Sequence, residues 1–296
     1  MVRELVEGKD CGVLYVVATP LGNLEDITLR ALRILSEADF IVAEDTRHTR
    51  KLLTRHEISA HLISCHQFNE SERAGQILAL LGEGKNLALV SDAGTPTVSD
   101  PGYRLVGQAA QAGFRVVPIP GACAAVAALS ASGLPTDSHY FEGFLPRKSG
   151  QRRQRLEALS PVAATLIFYE SPHRVARLCA ELLEIFGDRR AVLARELTKV
   201  HEEFFRASLS EMAENLARRG EIKGECTLLV EGRSGAEDAP GDETVEEALR
   251  EGLMKGDESL SRLAERVARR LGLGRRDVYA KALEMKRELD EAGEEE

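Results

Sequence analysis

Residues suited to close ligand binding are concentrated in four short segments of the first half of the chain. Each segment follows a predicted strand, and the four read TPLGN (19–23), EDTR (44–47), SDAGTPTVSDPG (91–102) and PIPGA (118–122). Glycine and other small residues let a ligand approach the backbone, and proline fixes the shape of a loop. The segments predict one shared binding pocket, although ordinary turns use the same residue types.

Carboxylates at two of the predicted strand ends are candidates for acid–base chemistry. Glu44 and Asp45 precede Arg47, and Glu170 lies three residues before His173. A carboxylate beside a bound substrate can act as a general base, and an arginine can hold a phosphate bidentately. However, Asp45 also suits the N-cap of a following helix, and Glu170 also suits a buried, hydrogen-bonded acid. The sequence leaves these alternatives open.

The first half alternates short apolar runs with helical patterns. Strands are predicted at Leu14–Ala18, Phe40–Ala43, Leu87–Val90 and Arg115–Ile119, and helices at Ile27–Ala38, Glu72–Leu81, Tyr103–Ala112 and Ala122–Ser130. This alternation is typical of a largely parallel sheet covered on both faces. Ligands bind such sheets beyond the carboxyl ends of the strands, which is where the four segments fall.

A second α/β unit is predicted from a further set of elements. Its strands are His139–Phe144, Thr165–Tyr169, Ala191–Arg195, Glu203–Phe205 and Cys226–Val230, and its helices are His173–Phe186 and Ser210–Arg219. The predicted domains are therefore 1–138 and 139–233, followed by an acidic linker (234–243) and a helical tail (244–296). Two helical runs around LGLG make the tail resemble a helix-turn-helix.

Composition narrows the classes of protein. The 296 residues carry a net charge of -9 and include five cysteines without a CxxC pair, and no apolar run is long enough to cross a membrane. These features favour a cytoplasmic protein without disulfides. Dinucleotide, P-loop and HExxH motifs are absent, so no metal is expected. The net charge means that any nucleic-acid footprint must be local.

Longer strings of the chain carry a family resemblance. TPLGNLEDITLRAL, AEDTRHTRKLL, SDAGTPTVSDPG, PIPGACAAVAAL and FYESPHRV, in this order, resemble the small-subunit ribosomal RNA methyltransferases of the tetrapyrrole-methylase superfamily. These are class III enzymes dependent on S-adenosylmethionine (SAM). The resemblance, from about Leu14 to Gly232, implies two α/β domains with SAM in the cleft between them. It also implies 2'-O-methylation of a decoding-region cytidine in 16S rRNA by a cytoplasmic homodimer.

The resemblance also implies roles for individual residues. The implied cofactor-binding residues are Pro20, Asp92, Ala93, Gly94, Thr95, Pro96, Ala122, Tyr169, Glu170, Cys226 and Thr227. Ala122 and Cys226 would contact SAM through their backbone groups. The ribose 2'-oxygen would attack the sulfonium methyl group in line, with Glu44, Asp45 or Glu170 as the base if there is one.

Contacts to RNA are expected from basic residues near the domain break and in the tail. The predicted set is Arg47, Arg147, Lys148, Arg152, Arg153, Arg155, Arg275 and Arg276. Five of these fall within 147–155 without an acid between them, which suits phosphate binding. A solvated linker would have the same composition, and the tail is equally compatible with a packing or dimerisation module.

Two alternative functions remain at this stage. A methylase of a tetrapyrrole precursor would share the fold and the cofactor, but it would have no need of AEDTRHTR or of the basic segment. A non-catalytic RNA-binding factor of ribosome assembly would have no need of the DAGTP and PGA loops.

Overall fold

The computed structural model describes residues 11–234, 245–255, 259–271 and 273–294. Within these residues, ten strands form two five-stranded sheets. Their bounds are β1 (Val13–Val17), β2 (Phe40–Ala43), β3 (His61–Ser64), β4 (Leu87–Val90), β5 (Arg115–Ile119), β6 (His139–Phe144), β7 (Thr165–Glu170), β8 (Arg190–Arg195), β9 (Glu203–Ser208) and β10 (Cys226–Val230). Strands β2, β4, β5, β6 and β10 have the limits expected from sequence.

The helices follow the same order along the chain. They are α1 (Leu29–Glu37), α2 (Thr46–Arg55), α3 (Glu70–Gly82), α4 (Tyr103–Gln111), α5 (Ala124–Ser132), α6 (Ser149–Leu159), α7 (Pro172–Phe186), α8 (Leu209–Arg218), α9 (Val245–Lys255), α10 (Leu260–Leu271) and α11 (Arg275–Glu294). No limits were predicted for α2 or β3, and α6 lies where the sequence predicts the break between the two domains. All three contain few large apolar residues, so periodicity alone does not reveal them.

The first sheet is entirely parallel, with the strand order β3-β2-β4-β1-β5. Helices α1 and α2 pack apolar residues such as Leu35 and Leu53 against one face of the sheet. Helices α3 and α4 cover the other face with residues such as Ile77 and Leu105. Because all five strands run in the same direction, the loops after their carboxyl ends lie along one edge.

The second sheet is mixed, with the order β6-β7-β10-β8-β9. Strands β6 and β7 pair in parallel, whereas the other three pairs are antiparallel. Helix α5 packs Ala125, Ala128 and Leu129 into a core with Ile167, Val192 and Leu229 of this sheet. The small residues that follow the PIPGA segment therefore join the first sheet to the second.

The chain divides into two compact units. One contains both sheets, and the other consists of Ala158–Ala164 together with the chain from Gly232 onward. In the second unit α9, α10 and α11 share a core of their own that includes Leu249, Leu263 and Val278. Most of the predicted acidic linker (234–243) lies outside the described residues. Within the described ranges, no helix combines the length and the apolar character needed to cross a bilayer.

We predict that Leu14→Ala in β1 destabilises the sheets strongly. Leu14 is fully buried in the core beneath α3 and α4, so truncation leaves a cavity and costs roughly 2–5 kcal/mol of unfolding free energy. Leu29→Ala is the matched control because Leu29 is 86% exposed. Chemical denaturation measures both variants, and equal stability losses would contradict this description of the core.

Candidate active site

A cavity of about 450 Å³ lies between the carboxyl edge of the first sheet and the ends of β7 and β10. Its wall on the first sheet comes from Leu21, Glu44, 92–95, 98–100, Cys123 and Ala124, and its wall on the second sheet from Phe144, 169–172 and 225–227. This volume is in the range of small-molecule sites. The location agrees with the cleft expected from sequence.

Backbone and side-chain hydrogen bonds hold three of the glycine-rich loops together. The N–H of Thr19 donates to the carbonyl of Gly94 over 2.9 Å, and the reverse bond measures 3.0 Å. The Thr95 hydroxyl donates to the carbonyl of Ala122 at 3.0 Å. Gly94 has a φ of 80°, which a glycine adopts without strain. The loops after β1, β4 and β5 therefore form one continuous wall.

The rest of the loop after β4 is held in a strained conformation. Thr97 and Ser99 have positive φ angles of 74° and 64°, which side chains other than glycine rarely adopt. Ser99 lies against Gly143 of β6, where an added Cβ would be 2.6 Å from the serine Oγ. Strain of this kind persists where the surroundings enforce it, often at functional sites. Here it places Val98 and Asp100 on the cavity wall.

Strand pairing aligns the residues that the second sheet contributes. Tyr169 pairs with Thr227, and Glu170 pairs with Cys226, across the antiparallel strands β7 and β10. The Tyr169 hydroxyl accepts a 3.0 Å hydrogen bond from the N–H of Ala125, at the start of α5. Burial raises the pKa of Tyr169, so it remains a neutral phenol. Tyr169 therefore lines the cavity from the second sheet and is hydrogen-bonded to the first half of the chain.

The lining of the cavity is strongly acidic. Five acidic residues line it, and no lysine, arginine or histidine of the described residues does so; the five are Glu44, Asp92, Asp100, Glu170 and Glu225. Burial raises the pKa of Asp100 to about 6, with smaller contributions from the charges of Asp92 and Glu225, against a hydrogen bond from Ser91. Burial, followed by the charges of Asp100 and Asp92, also raises the pKa of Glu44. The cavity therefore favours a cation.

The three sequence-predicted base candidates have different surroundings. Glu170 is buried, forms an ion pair with Arg174, and accepts from the N–H of Ser171 at 2.6 Å. Asp45 caps α2 by accepting from the N–H of Arg47 at 2.8 Å. Hydrogen bonds from Arg47 lower the pKa of Asp45 to about 2. Glu44 lines the cavity, and its pKa is raised.

The structure brings most of the predicted cofactor residues to the cavity. Eight of the eleven line it, namely Asp92, Ala93, Gly94, Thr95, Tyr169, Glu170, Cys226 and Thr227. The exceptions are Pro20, Pro96 and Ala122. Pro20 lines a smaller neighbouring cavity beside α2. Ala122 contributes its carbonyl to the bond with Thr95 and does not itself line the cavity. The contacts of these three residues with a cofactor stay predictions.

Several lining residues were missed from sequence. Asp100 belongs to a segment that was singled out, but its placement depends on the left-handed residues before it. Glu225 directly precedes the predicted Cys226, and this adjacency was the only sequence signal that could have identified it. Phe144, at the end of β6, packs its ring 5.7 Å from that of Tyr169. These positions depend on contacts between segments distant in sequence, such as that of Ser99 with Gly143, which local sequence patterns do not encode.

The five cations predicted at 147–155 have different surroundings. Arg152 is buried and forms an ion pair with Glu181, Arg153 pairs with Glu184, and Arg155 pairs with Glu142. The charges of these three arginines are offset by neighbouring carboxylates, and their contacts with RNA stay predictions.

The other predicted RNA contacts have mixed surroundings. Arg147 and Lys148 are exposed. In the tail Arg276 is exposed as well, whereas the side chain of Arg275 lies outside the described residues.

Comparisons of this chain with known proteins agree on one family. Residues 13–213 match the Tetrapyrrole (Corrin/Porphyrin) Methylases. A Halalkalibacterium halodurans protein named ribosomal RNA small subunit methyltransferase I is 56% identical over 223 residues, covering 75% of this chain and 77% of that protein. A Pseudomonas aeruginosa protein of the same name is 46% identical over 277 residues, covering 92% and 97%.

A solved structure shares the fold. The uroporphyrin-III C-methyltransferase of Thermus thermophilus, complexed with S-adenosylhomocysteine, has a TM-score of 0.54 and 22% identity, covering 74% of this chain and 97% of that chain.

We predict that Asp100→Asn stabilises the protein increasingly as the pH rises. A folded-state pKa of about 6, above the ordinary 3.8, means that the folded protein holds this proton more tightly than the unfolded chain. The wild type therefore loses stability between about pH 4 and 6 as Asp100 ionises, whereas asparagine stays neutral.

Thermal midpoints at pH 4.5 and 7.5 measure this difference. The advantage of Asp100→Asn should be larger at pH 7.5. The exposed Asp137 provides a matched control in Asp137→Asn, which should show no such change. An equal advantage of Asp100→Asn at both pH values would contradict the prediction.

Proposed function

The chain belongs to the tetrapyrrole methylases, and from this premise we propose that it transfers the methyl group of SAM to the ribosomal RNA of the small subunit. The observation that carries the proposal is the high identity, over nearly the whole chain, to relatives that are named for this activity. The finer proposal is 2'-O-methylation of a cytidine in the decoding region. It is supported by the family resemblance of the AEDTRHTR and SDAGTP segments.

The described residues fit SAM. At neutral pH its ammonium and carboxylate groups offset each other, so the sulfonium leaves a net positive charge. The acidic cavity described above favours such a cation, and its volume suits a ligand of this size. We propose that 92–95, Tyr169, Cys226 and Thr227 hold the cofactor there. When bound, SAM supplies a methyl group that is already activated by its sulfonium leaving group.

The work left to the protein is to position the nucleophile and to remove its proton. A ribose 2'-hydroxyl is a poor nucleophile while protonated, and general-base assistance contributes about 10²–10⁴-fold. Glu44 is the candidate base because it lines the cavity and its raised pKa strengthens it as a proton acceptor. Asp45 instead caps α2, and Glu170 forms an ion pair with Arg174. Both contacts keep the rim of the cavity in place.

The tetrapyrrole alternative shares the fold and the cofactor but not the substrate. The close relatives are named for ribosomal RNA, whereas the tetrapyrrole enzyme noted above is only 22% identical. This difference favours the RNA substrate. From the family resemblance we also infer a cytoplasmic homodimer.

Calorimetry with SAM, followed by transfer from radiolabelled SAM, tests the function. The acceptors are small ribosomal subunits that lack the modification, and uroporphyrinogen as the rival substrate. We expect SAM binding and labelling of the RNA alone, with the labelled nucleotide then identified as a 2'-O-methylcytidine. Labelling of only the porphyrin would reject the RNA substrate, absence of SAM binding would reject the enzyme, and a different labelled nucleotide would reject the finer proposal.

We predict that Glu44→Gln lowers kcat by about 10²–10⁴-fold because the amide cannot accept the ribose proton. SAM affinity measured by calorimetry should change only a few-fold, since the loss concerns one of five acidic residues around the cavity. The wild-type rate should rise with pH through the pKa of Glu44, and the variant should lack this rise.

Glu37→Gln, at an exposed position of α1, is the matched control. Full activity of Glu44→Gln, or a loss explained entirely by weaker SAM binding, would exclude Glu44 as the base.

A further inference from the structure

The acidic cavity creates an electrostatic problem for the proposed substrate. RNA carries a negative charge on every phosphate, whereas five carboxylates line the cavity and the whole chain has a net charge of -9. A nucleotide can enter such a site only if its neighbouring phosphates are held by cations outside it. Three arginines of the 147–155 segment are already paired with carboxylates, whereas Arg147 and Lys148 are exposed. Cations elsewhere on the surface are therefore also candidates.

Helix α2 presents a row of cations on its exposed side. Arg47, Arg50, Lys51 and Arg55 line one shallow depression together with Thr54, and we call these four cations the basic stripe. Their spacing of three, four and eight residues places them on one helix face, which spans about 12 Å at 1.5 Å per residue. The opposite face buries Thr49, Leu52 and Leu53 in the protein. The stripe is therefore fixed in position rather than carried by a loop.

Three of the four cations are available to a partner. Arg47 forms an ion pair with Asp45. Arg50, Lys51 and Arg55 are exposed, and within the described part of the chain no carboxylate lies at ion-pair distance from them. Lys51 and Arg55, four residues apart, form a like-charged pair that is unfavourable by itself and that a polyanionic partner would stabilise.

The stripe begins at the rim of the cavity. Glu44, two residues before α2, lines the cavity, and the N–H of Asp45 donates to the Asp92 carboxylate at 3.1 Å. These contacts fix the first turn of α2 against the loop after β4. A strand of RNA lying along the stripe would therefore pass directly beside the site where the methyl group is transferred.

We propose that the basic stripe binds the phosphates of the RNA strand that flank the target nucleotide, with Arg50, Lys51 and Arg55 making the contacts. The proposal rests on the proposed function and names the part of the protein that holds its substrate. An anionic lipid surface is a poorer partner, because a membrane-binding helix needs a free apolar face and that of α2 is buried.

The test compares two charge reversals of equal size. Arg50→Glu with Lys51→Glu changes the stripe, whereas Lys85→Glu with Arg115→Glu makes the same change in net charge near the amino ends of β4 and β5. Full-length proteins are titrated with small ribosomal subunits over a series of salt concentrations. The stripe variant should bind about tenfold or more weakly, and its slope of log K against log salt should be smaller by about 1.4 for two lost phosphate contacts.

Other readouts separate substrate binding from folding and catalysis. The stripe variant should retain the SAM affinity and thermal midpoint of the wild type, and its kcat with saturating subunits should stay within about threefold, so that the loss is in KM. Arg50→Gln with Lys51→Gln should show a smaller loss in the same direction. The control variant should bind subunits as the wild type does.

The outcomes distinguish this proposal from the function on which it rests. If the wild type methylates subunits and the stripe and control variants bind them equally well, the stripe proposal fails and the function stands. If the wild type binds subunits without methylating them, and the stripe variant alone loses this binding, the function fails and the stripe proposal stands. Loss of binding to anionic phosphatidylserine vesicles, with subunit binding intact, would overturn the proposal in favour of a membrane partner.

Discussion

The paired hydrogen bonds between Thr19 and Gly94 are the contact on which the site depends. They join the loops after the neighbouring strands β1 and β4, and Thr95 extends the connection to the loop after β5 through Ala122. Backbone groups make most of these bonds, so the wall is set by chain geometry more than by side-chain identity. Close approach of the backbone also disfavours a larger residue at Gly121, since an added Cβ would lie 2.9 Å from that of Ala18.

A second constraint is the separation of charge. The proposed reaction brings a cationic donor and a polyanionic acceptor to one place, and no single environment suits both. The protein places five carboxylates around the cavity and the cations of the basic stripe on α2, outside it. A net charge of -9 is then compatible with RNA binding, because the basic surface is local. The apparent conflict between composition and substrate is removed by this geometry.

How much of the structure the sequence predicts depends on whether the determining contacts are local or join segments far apart in the chain. Strand β4 was predicted to the residue because a buried parallel strand has a continuous apolar run. Helix α6 was missed because it has few large apolar residues, and ion pairs such as Arg152–Glu181, 29 residues apart, help to hold it in place. Such ion pairs also offset three of the five cations at 147–155, which the sequence alone does not reveal. Most of the loops that line the cavity were located, but Asp100 required the left-handed backbone of Thr97 and Ser99.

Glu44 and Asp45 show how one step along the chain separates two roles. The Asp45 side chain is drawn to the start of α2, where Arg47 and the free N–H groups of the first turn stabilise its charge. Glu44 lies on the cavity side, where burial and the neighbouring carboxylates disfavour its charge. The pKa values of adjacent acids therefore move in opposite directions, and this divergence separates the proposed proton acceptor, Glu44, from a structural anion, Asp45. Because Asp45 also caps the helix that carries the basic stripe, one turn of the chain joins the proposed base to the proposed phosphate-binding surface.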